Sequence, residues 1–217
     1  MRFGTEQGPM EARIDTLVIA GWTGRDRAAV RHHVEELAAL GVPPPSATPL
    51  FYRVGAALLT QAAAIEVLGG ETSGEAEPFV LRAGGAIWLG LGSDHTDRGL
   101  EAVSVAAAKQ ACPKPVGRVL WTWEDVAGHL DEIELASEIE EGGAWRPYQS
   151  GTLAAIRPLA ELMEAASLPD GAAMMCGTLP AIGGIRPAAR FRARLRDPVR
   201  DREITCEYCV DALPVVS

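Results

Sequence analysis

No apolar run in this chain approaches the roughly 20 residues that a membrane-crossing helix needs, which argues against a helical membrane protein. Cysteine is sparse. Cys112, Cys176, Cys206 and Cys209 are too few and too scattered for a disulfide framework or a complete zinc site. Cys206-Glu207-Tyr208-Cys209 has the spacing of half a zinc knuckle, but with no second pair it reads as a late strand carrying two reduced thiols. Positive charge is also short. With 20 Lys and Arg against 29 Asp and Glu, the net charge of −9 argues against nucleic acid or an anionic membrane as the main partner. An anionic metabolite stays compatible, because one metal ion or lysine can invert the field inside a pocket. The first 13 residues are polar and lack the apolar stretch of a signal peptide, so the cytoplasm is the expected location. There is no internal repeat or low-complexity tract. What is present suits one domain: 217 residues, 47% of them hydrophobic, are enough for one good core and short for two.

Periodicity supplies the elements. Residues 1–13 read as a flexible arm and Ile14 to Ala20 as a strand. A helix is expected from Asp26, whose side chain can accept from open amides, through Val30, Val34 and Leu37 to the stop at Gly41 and Pro43. Extended segments follow at Leu50 to Thr60 and Ile65 to Leu68, and strands at Phe79 to Leu81 and Ile87 to Leu91 flank the hairpin glycines Gly84-Gly85. Leu100 to Gln110 is Ala-rich and helical, and ends before Pro113. Glu132 to Glu140 alternates as a half-buried strand, with a helix as the alternative, while Thr152 to Ser167 has helical spacing with Pro158 as a kink or restart. Ala172 to Cys176, Phe191 to Leu195 and Glu203 to Val210 complete the strands. The class is α+β, rich in β, with a few short peripheral helices.

Within this frame Glu75 and Glu77 stand at i and i+2, so on a strand both leave the same face. Asp94 follows seventeen residues after Glu77. Carboxylates crowded on one face suppress each other's ionisation unless a cation sits between them, and oxygen ligands of this kind suit Mg2+, Mn2+ or Ca2+. A solvated acidic strand edge is the competing reading.

Asp94-His95-Thr96-Asp97-Arg98 after the apolar run Ile87 to Leu91 resembles the Asp-x-Ser/Thr-x-Arg segment of the fumarylacetoacetate hydrolase superfamily, whose members carry Glu-x-Glu before it and a lysine after. Pro49-Leu50-Phe51-Tyr52-Arg53 is similar to that family's Pro-x-Phe-x-Lys strand. Gly177-Thr178-Leu179-Pro180 is similar to its late Thr-Gly-Thr-Pro loop, and Gln149 falls where a Gln usually follows the family's Asn-Gly turn. His33 and Glu36 match a His-x-x-Glu pair on a short lid helix. The order of these matches spans roughly residues 20–210.

The resemblance implies a mixed β-sandwich or β-roll. Residues 14–217 would form one catalytic domain, with a strand and lid-helix segment at 14–48 and the roll at 49–217. It also implies a metal-dependent enzyme acting on a 2-oxo acid or 1,3-dicarbonyl carboxylate, with C–C bond hydrolysis foremost. Hydration, decarboxylation or isomerisation is the alternative, and a non-catalytic metal-stabilised binding protein a further one. Glu75, Glu77 and Asp94 would hold Mg2+, Mn2+ or Ca2+. His33, Glu36 and a lysine would be catalytic; Arg98, Gln149, Gly177 and Thr178 would contact substrate. Lys109 is preferred as the lysine for its place after the Arg98 helix, although Lys114 is nearer to Asp94 by raw spacing. A surface helix is the competing reading for His33 and Glu36. A homodimer is implied. The chain departs from the pattern at Glu101, where many members have Gln, at Arg53, where many have Lys, and in the short segment between Glu77 and Asp94.

Overall fold

A computed structural model describes residues 1–39 and 44–216, the side chains of His33, Glu36, Leu37 and Ala39 excepted. Two twisted sheets carry the architecture. The first has six strands in the order Trp121–Thr122, Ala86–Ser93, Ala76–Ala83, Ala172–Met175, Thr16–Gly21 and Leu50–Val54. All neighbours are antiparallel except Ala172–Met175 beside Thr16–Gly21. The second has five strands in the order Ala144–Thr152, Glu134–Glu141, Arg190–Asp197, Arg202–Leu213 and Ala64–Leu68, the last pair parallel.

Burial follows from the two-residue side-chain period. In the first sheet Val18, Val80 and Met174 face the second sheet, together with Leu135, Ile139, Leu195 and Ile204 from across the gap. The alternate residues Leu17, Ile19, Phe79, Leu81 and Met175 point the other way into a second apolar cluster with Phe3, Val116 and Leu120. Covered on both faces, these strands are nearly continuous in apolar residues, and only a two-faced sheet explains such runs. The second sheet alternates instead. Its inner residues are apolar and its outer ones are Glu and Arg.

Several local expectations change. Residues 1–13, read as a flexible arm, form a hairpin, Arg2–Thr5 with Gly8–Glu11, because Phe3 is buried against Phe79 at a centroid distance of 6.4 Å. The helix expected over Thr152 to Ser167 is a short 3-10 turn at Leu153–Ala155 and a separate helix at Leu159–Ala165. Pro158 lacks an N–H and disfavours helical backbone before it, so it starts the second helix instead of kinking a longer one. Ala144–Thr152 is a strand with no counterpart in the sequence reading. Its Pro147, which lacks the N–H that a central strand would need, is tolerated because this strand lies at a sheet edge, beside a bulge at Ser137/Glu138. His129 is largely buried, with Nε2 2.8 Å from Asp197 Oδ1. Among the described residues no helix is long and apolar enough to cross a membrane.

Candidate metal centre

A tight turn assembles the three carboxylates. Gly84 and Gly85 have φ of 62° and 78°, the paired positive values of a two-residue hairpin turn that costs little only for glycine. The resulting register sets Ala76 against Ser93 and Glu77 against Gly92. One step further, Glu75 stands opposite Asp94, and the Asp94 N–H donates to the Glu75 carbonyl at 3.0 Å. The segment that is short compared with the family pattern is thus an uninterrupted hairpin that delivers Asp94 to both glutamates.

One carboxylate oxygen from each of Glu75, Glu77 and Asp94 lies within 4.8 Å of the others. Octahedral coordination at bonds of ~2.1 Å separates ligand oxygens by roughly 3–4 Å, so the cluster is close to the geometry Mg2+ takes. The electrostatics fit as well. Burial pushes the Glu75 carboxyl up, and burial together with the negative charge of Asp94 pushes Glu77 well up. Burial would also raise Asp94, but Lys109 and Lys114 outweigh it and hold that carboxyl below its ordinary range. Asp94 Oδ1 makes no aligned hydrogen bond, although the Lys114 ammonium is 2.9 Å away. Two buried carboxyls resisting ionisation, beside a third that is ionised and incompletely bonded, form a donor set that a divalent cation would satisfy.

Both candidate lysines reach Asp94. They are the chain's only two lysines, against eighteen arginines. Lys109 projects from the helix Val105–Ala111, which Ser104 caps by accepting from the Ala107 N–H at 3.3 Å, and its Nζ bonds Asp94 Oδ2. Burial would lower the Lys109 ammonium, but Asp94, Glu75 and Glu77 together raise it above its ordinary value. Lys114, fully buried between Pro113 and Pro115, donates to the His95 carbonyl at 2.5 Å. Of the two, Lys109 lines the cavity beside the glutamates. His95 turns away from the carboxylates, with Nδ1 3.0 Å from the Tyr208 hydroxyl and Nε2 2.9 Å from Thr72 Oγ1. Burial and the neighbouring Lys114 and Arg98 push it down to about 3, so the ring is neutral at physiological pH.

Arg98 was expected to contact substrate, yet it is not among the cavity-lining residues. Its guanidinium is spent on the scaffold, donating to Ser73 Oγ at 2.7 Å and Glu101 Oε2 at 2.7 Å, with Nη2 3.4 Å from Glu75 Oε1. Asp97, capping the short helix Arg98–Glu101, fixes that position by accepting from the Leu100 N–H at 2.9 Å. Gln149 does line the cavity, but its amide is committed. Oε1 accepts from the Ala76 N–H at 2.9 Å and from Ser137 Oγ at 2.7 Å, while Nε2 donates to Thr178 Oγ1 at 2.5 Å and the Leu179 carbonyl at 2.7 Å. The Gly177 N–H donates to Glu77 Oε2 at 2.6 Å, and Thr178 Oγ1 donates to the Ala76 carbonyl at 2.8 Å. Gly177 has φ of 103°, and a Cβ there would stand 1.7 Å from Thr23 Oγ1, so only glycine fits.

These groups open into one cavity of about 530 Å³, bounded by Glu75, Glu77, Lys109, Gly177 and Thr178 and, opposite, by Asp26, Ala29 and Val30 at the start of the helix Arg27–Ala39. Asp26 caps that helix by accepting from the Ala28 and Ala29 N–H groups at 2.8 and 3.1 Å. His33 and Glu36 lie further along it, and their side chains fall outside the described residues. Sequence reasoning missed the joint role of the lysines and the Thr23–Gly177 contact. The first had a signal, since two lysines five residues apart are the chain's whole supply; the second had none, because 154 residues separate the partners.

The fold is similar to several solved structures. Yeast ynq8, a fumarylacetoacetate hydrolase family protein, matches with a TM-score of 0.66 and 12% identity over 94% of this chain and 95% of that one. 2-Keto-3-deoxy-D-arabinonate dehydratase, complexed with magnesium and 2,5-dioxopentanoate, matches with a TM-score of 0.63 and 16% identity, covering 94% and 75%. 4-Oxalocrotonate decarboxylase from Pseudomonas putida G7, complexed with calcium and acetate, matches with a TM-score of 0.58 and 16% identity, covering 92% and 78%. No curated protein matches the sequence. The family model that does match, described as "protein of unknown function (DUF2848)", covers residues 20–208. The chain therefore belongs to the DUF2848 family and has the fumarylacetoacetate hydrolase fold.

Proposed function

We propose that this chain is a metal-dependent enzyme acting on a 2-oxo acid or a 1,3-dicarbonyl carboxylate, and that it cleaves a C–C bond by hydrolysis. The observation that carries this reading is the convergence of Glu75, Glu77 and the buried Asp94 beside Lys109, at an open cavity that the two glutamates and the lysine line. The named ligands of the similar structures support it: magnesium with 2,5-dioxopentanoate in one, calcium with acetate in another.

Glu75, Glu77 and Asp94 would hold Mg2+, with Mn2+ or Ca2+ as substitutes. The ion, when bound, supplies Lewis-acid polarisation of a substrate carboxylate and its adjacent carbonyl. Lys109, kept protonated by the surrounding carboxylates, places a positive charge where an oxyanion or enolate develops. Gly177 and Thr178 would form the wall beside the metal-held substrate carboxylate, and Gln149 holds that wall in place. Arg98 would help hold Glu75 in place through their 3.4 Å ion pair. His33 stands one helical turn beyond Ala29, and with Glu36 it would take the proton from an attacking water.

The dehydratase and decarboxylase among the similar structures favour a second reading, a lyase that uses the metal and Lys109 without activating water. Turnover of a panel of acylpyruvates and oxaloacetate with Mg2+ or Mn2+ tests the proposal. Retained full activity in Glu75→Ala or Asp94→Ala would overturn the metal assignment. His33→Ala separates the two readings: loss of hydrolysis with retained enolisation points to the lyase.

A further inference from the structure

We infer that the cavity selects a substrate with a single carboxylate and an uncharged, mainly apolar tail, and rejects one whose tail carries a second carboxylate. The inference rests on the metal-site reading above and adds what the rest of the wall requires.

Charge along the wall decides it. Among the described lining residues the cations are Arg25 and Lys109. Lys109 belongs to the carboxylate cluster, where its ammonium is bonded to Asp94. Arg25 is committed away from the cavity. It grips Asp131 with two hydrogen bonds of 2.6 Å and donates to the Ile156 and Leu153 carbonyls at 2.8 and 3.3 Å. The charged groups left along the wall are acidic. Asp26 is held ionised by the Ala28 and Ala29 amides that it caps, and Glu101 faces the cavity while paired to Arg98.

The neutral donors nearest the carboxylates are committed, and those further along the wall, such as the hydroxyls of Tyr52 and Tyr148, bring no positive charge. The Gly177 N–H is taken by Glu77, both polar ends of the Gln149 amide are taken by scaffold, and the Thr178 hydroxyl donates to the Ala76 carbonyl. A second carboxylate would thus exchange water for neutral hydroxyls at most, with no free cation to answer its charge, and would meet like charge; both effects oppose binding. An alkyl tail finds the opposite. Val30, Val105, Leu179, Ala181 and Ile185 give it apolar area to bury. The volume of about 530 Å³ leaves room for a tail of several carbons beyond an acid head.

Two oxamates of near-equal shape isolate the tail. N-Isobutyloxamate and N-oxalylglycine share a carboxylate and adjacent carbonyl for the metal; one ends in two methyls, the other in two carboxylate oxygens. Their affinities for the full chain are measured by calorimetry, with and without Mg2+. The expected result is Mg2+-dependent binding of both, with the isobutyl compound at least about tenfold tighter. Equal affinities, or tighter binding of N-oxalylglycine, would overturn the tail inference and leave the metal site standing. No Mg2+-dependent binding of either would instead overturn the metal-site reading, and this inference with it. Ile185→Arg, a change at a side chain 55% exposed and so tolerable to folding, should shift the preference toward N-oxalylglycine by about tenfold. An unchanged ratio in that variant would remove Ile185 from the tail wall.

Discussion

Two arrays of acids and bases face different worlds in this molecule. On the outer face of the second sheet, Arg190, Arg192, Arg194 and Arg196 meet Glu140, Glu207, Glu138, Glu203 and Glu134 across neighbouring strands, at 2.6 to 3.9 Å. Their side chains remain 28–52% exposed, and Trp145 lies under Arg190 and Arg192. At the buried cluster, Glu75 meets Arg98 and Asp94 meets Lys109 and Lys114, at similar distances with little or no exposure. Water screens every pair in the first array, so no member depends on a particular partner. In the second, each charge survives only because a specific neighbour answers it. The cation type differs accordingly. Guanidinium forks suit bidentate and stacked surface pairs, whereas the two lysines, compact point charges, are both spent on the single carboxylate of Asp94.

The sharpest break of that contrast is Asp94→Ala. It strands Lys109 and Lys114 in the interior and removes a metal ligand, so urea denaturation should register a loss of about 3–5 kcal/mol. Mg2+ binding should vanish with it. Wild-type stability in this variant would mean that burial does not make the array interdependent. The lysines should then separate by role. Lys114→Met removes a fully buried partner of Asp94 and the His95 carbonyl and should act mainly on folding, at a cost of about 3 kcal/mol. Lys109→Met should lower kcat on any accepted substrate by about 100-fold or more, since its ammonium borders the cavity where anionic charge develops. Equal stability losses with equal rate losses would merge the two roles.

Proton release sharpens the comparison further. Glu75 and Glu77 have carboxyl pKa values raised above 4.5 in the folded chain, so over a window above that pH the folded state holds protons that the unfolded state has lost. For these two groups, metal-free stability should therefore fall as pH rises through that window. A divalent cation needs the ionised forms, so Mn2+ affinity should increase with pH and binding should release protons. Calorimetry in two buffers of different ionisation enthalpy measures the release directly. Binding that takes up protons, or ignores pH, contradicts the assignment of these carboxyls as ligands.

How far the sequence discloses this depends on how local each feature is. The glutamate pair and Asp94 are legible because one hairpin, marked by Gly84-Gly85, joins them in a predictable register. The two-faced burial of the first sheet is legible in its continuous apolar runs. The competition between Lys109 and Lys114 is not, because a helix end and a proline-clamped strand converge on one carboxylate only in three dimensions. The hairpin at residues 1–13 is hidden for the same reason. Its apolar side chains are few and without a clear period, and it is ordered by what Phe3 touches far along the chain. Pro147 masks the edge strand Ala144–Thr152, since nothing local says that this segment would lie at a sheet edge.

The smallest expected effect tests the exposed side of the comparison. Glu138→Ala removes the 2.6 Å partner of Arg192, a contact shorter than that of Arg98 with Glu75 in the buried cluster. Arg192 nevertheless keeps Trp145, whose ring is 4.4 Å from its guanidinium carbon, and water replaces the lost carboxylate. The denaturation midpoint should therefore stay within replicate scatter of the parent, and 0.5 M NaCl should erase whatever difference exists, because the Debye length at that salt is only about 4 Å. A loss comparable to that of Asp94→Ala would show that the ladder acts as a coupled network, and that burial alone does not set the two arrays apart.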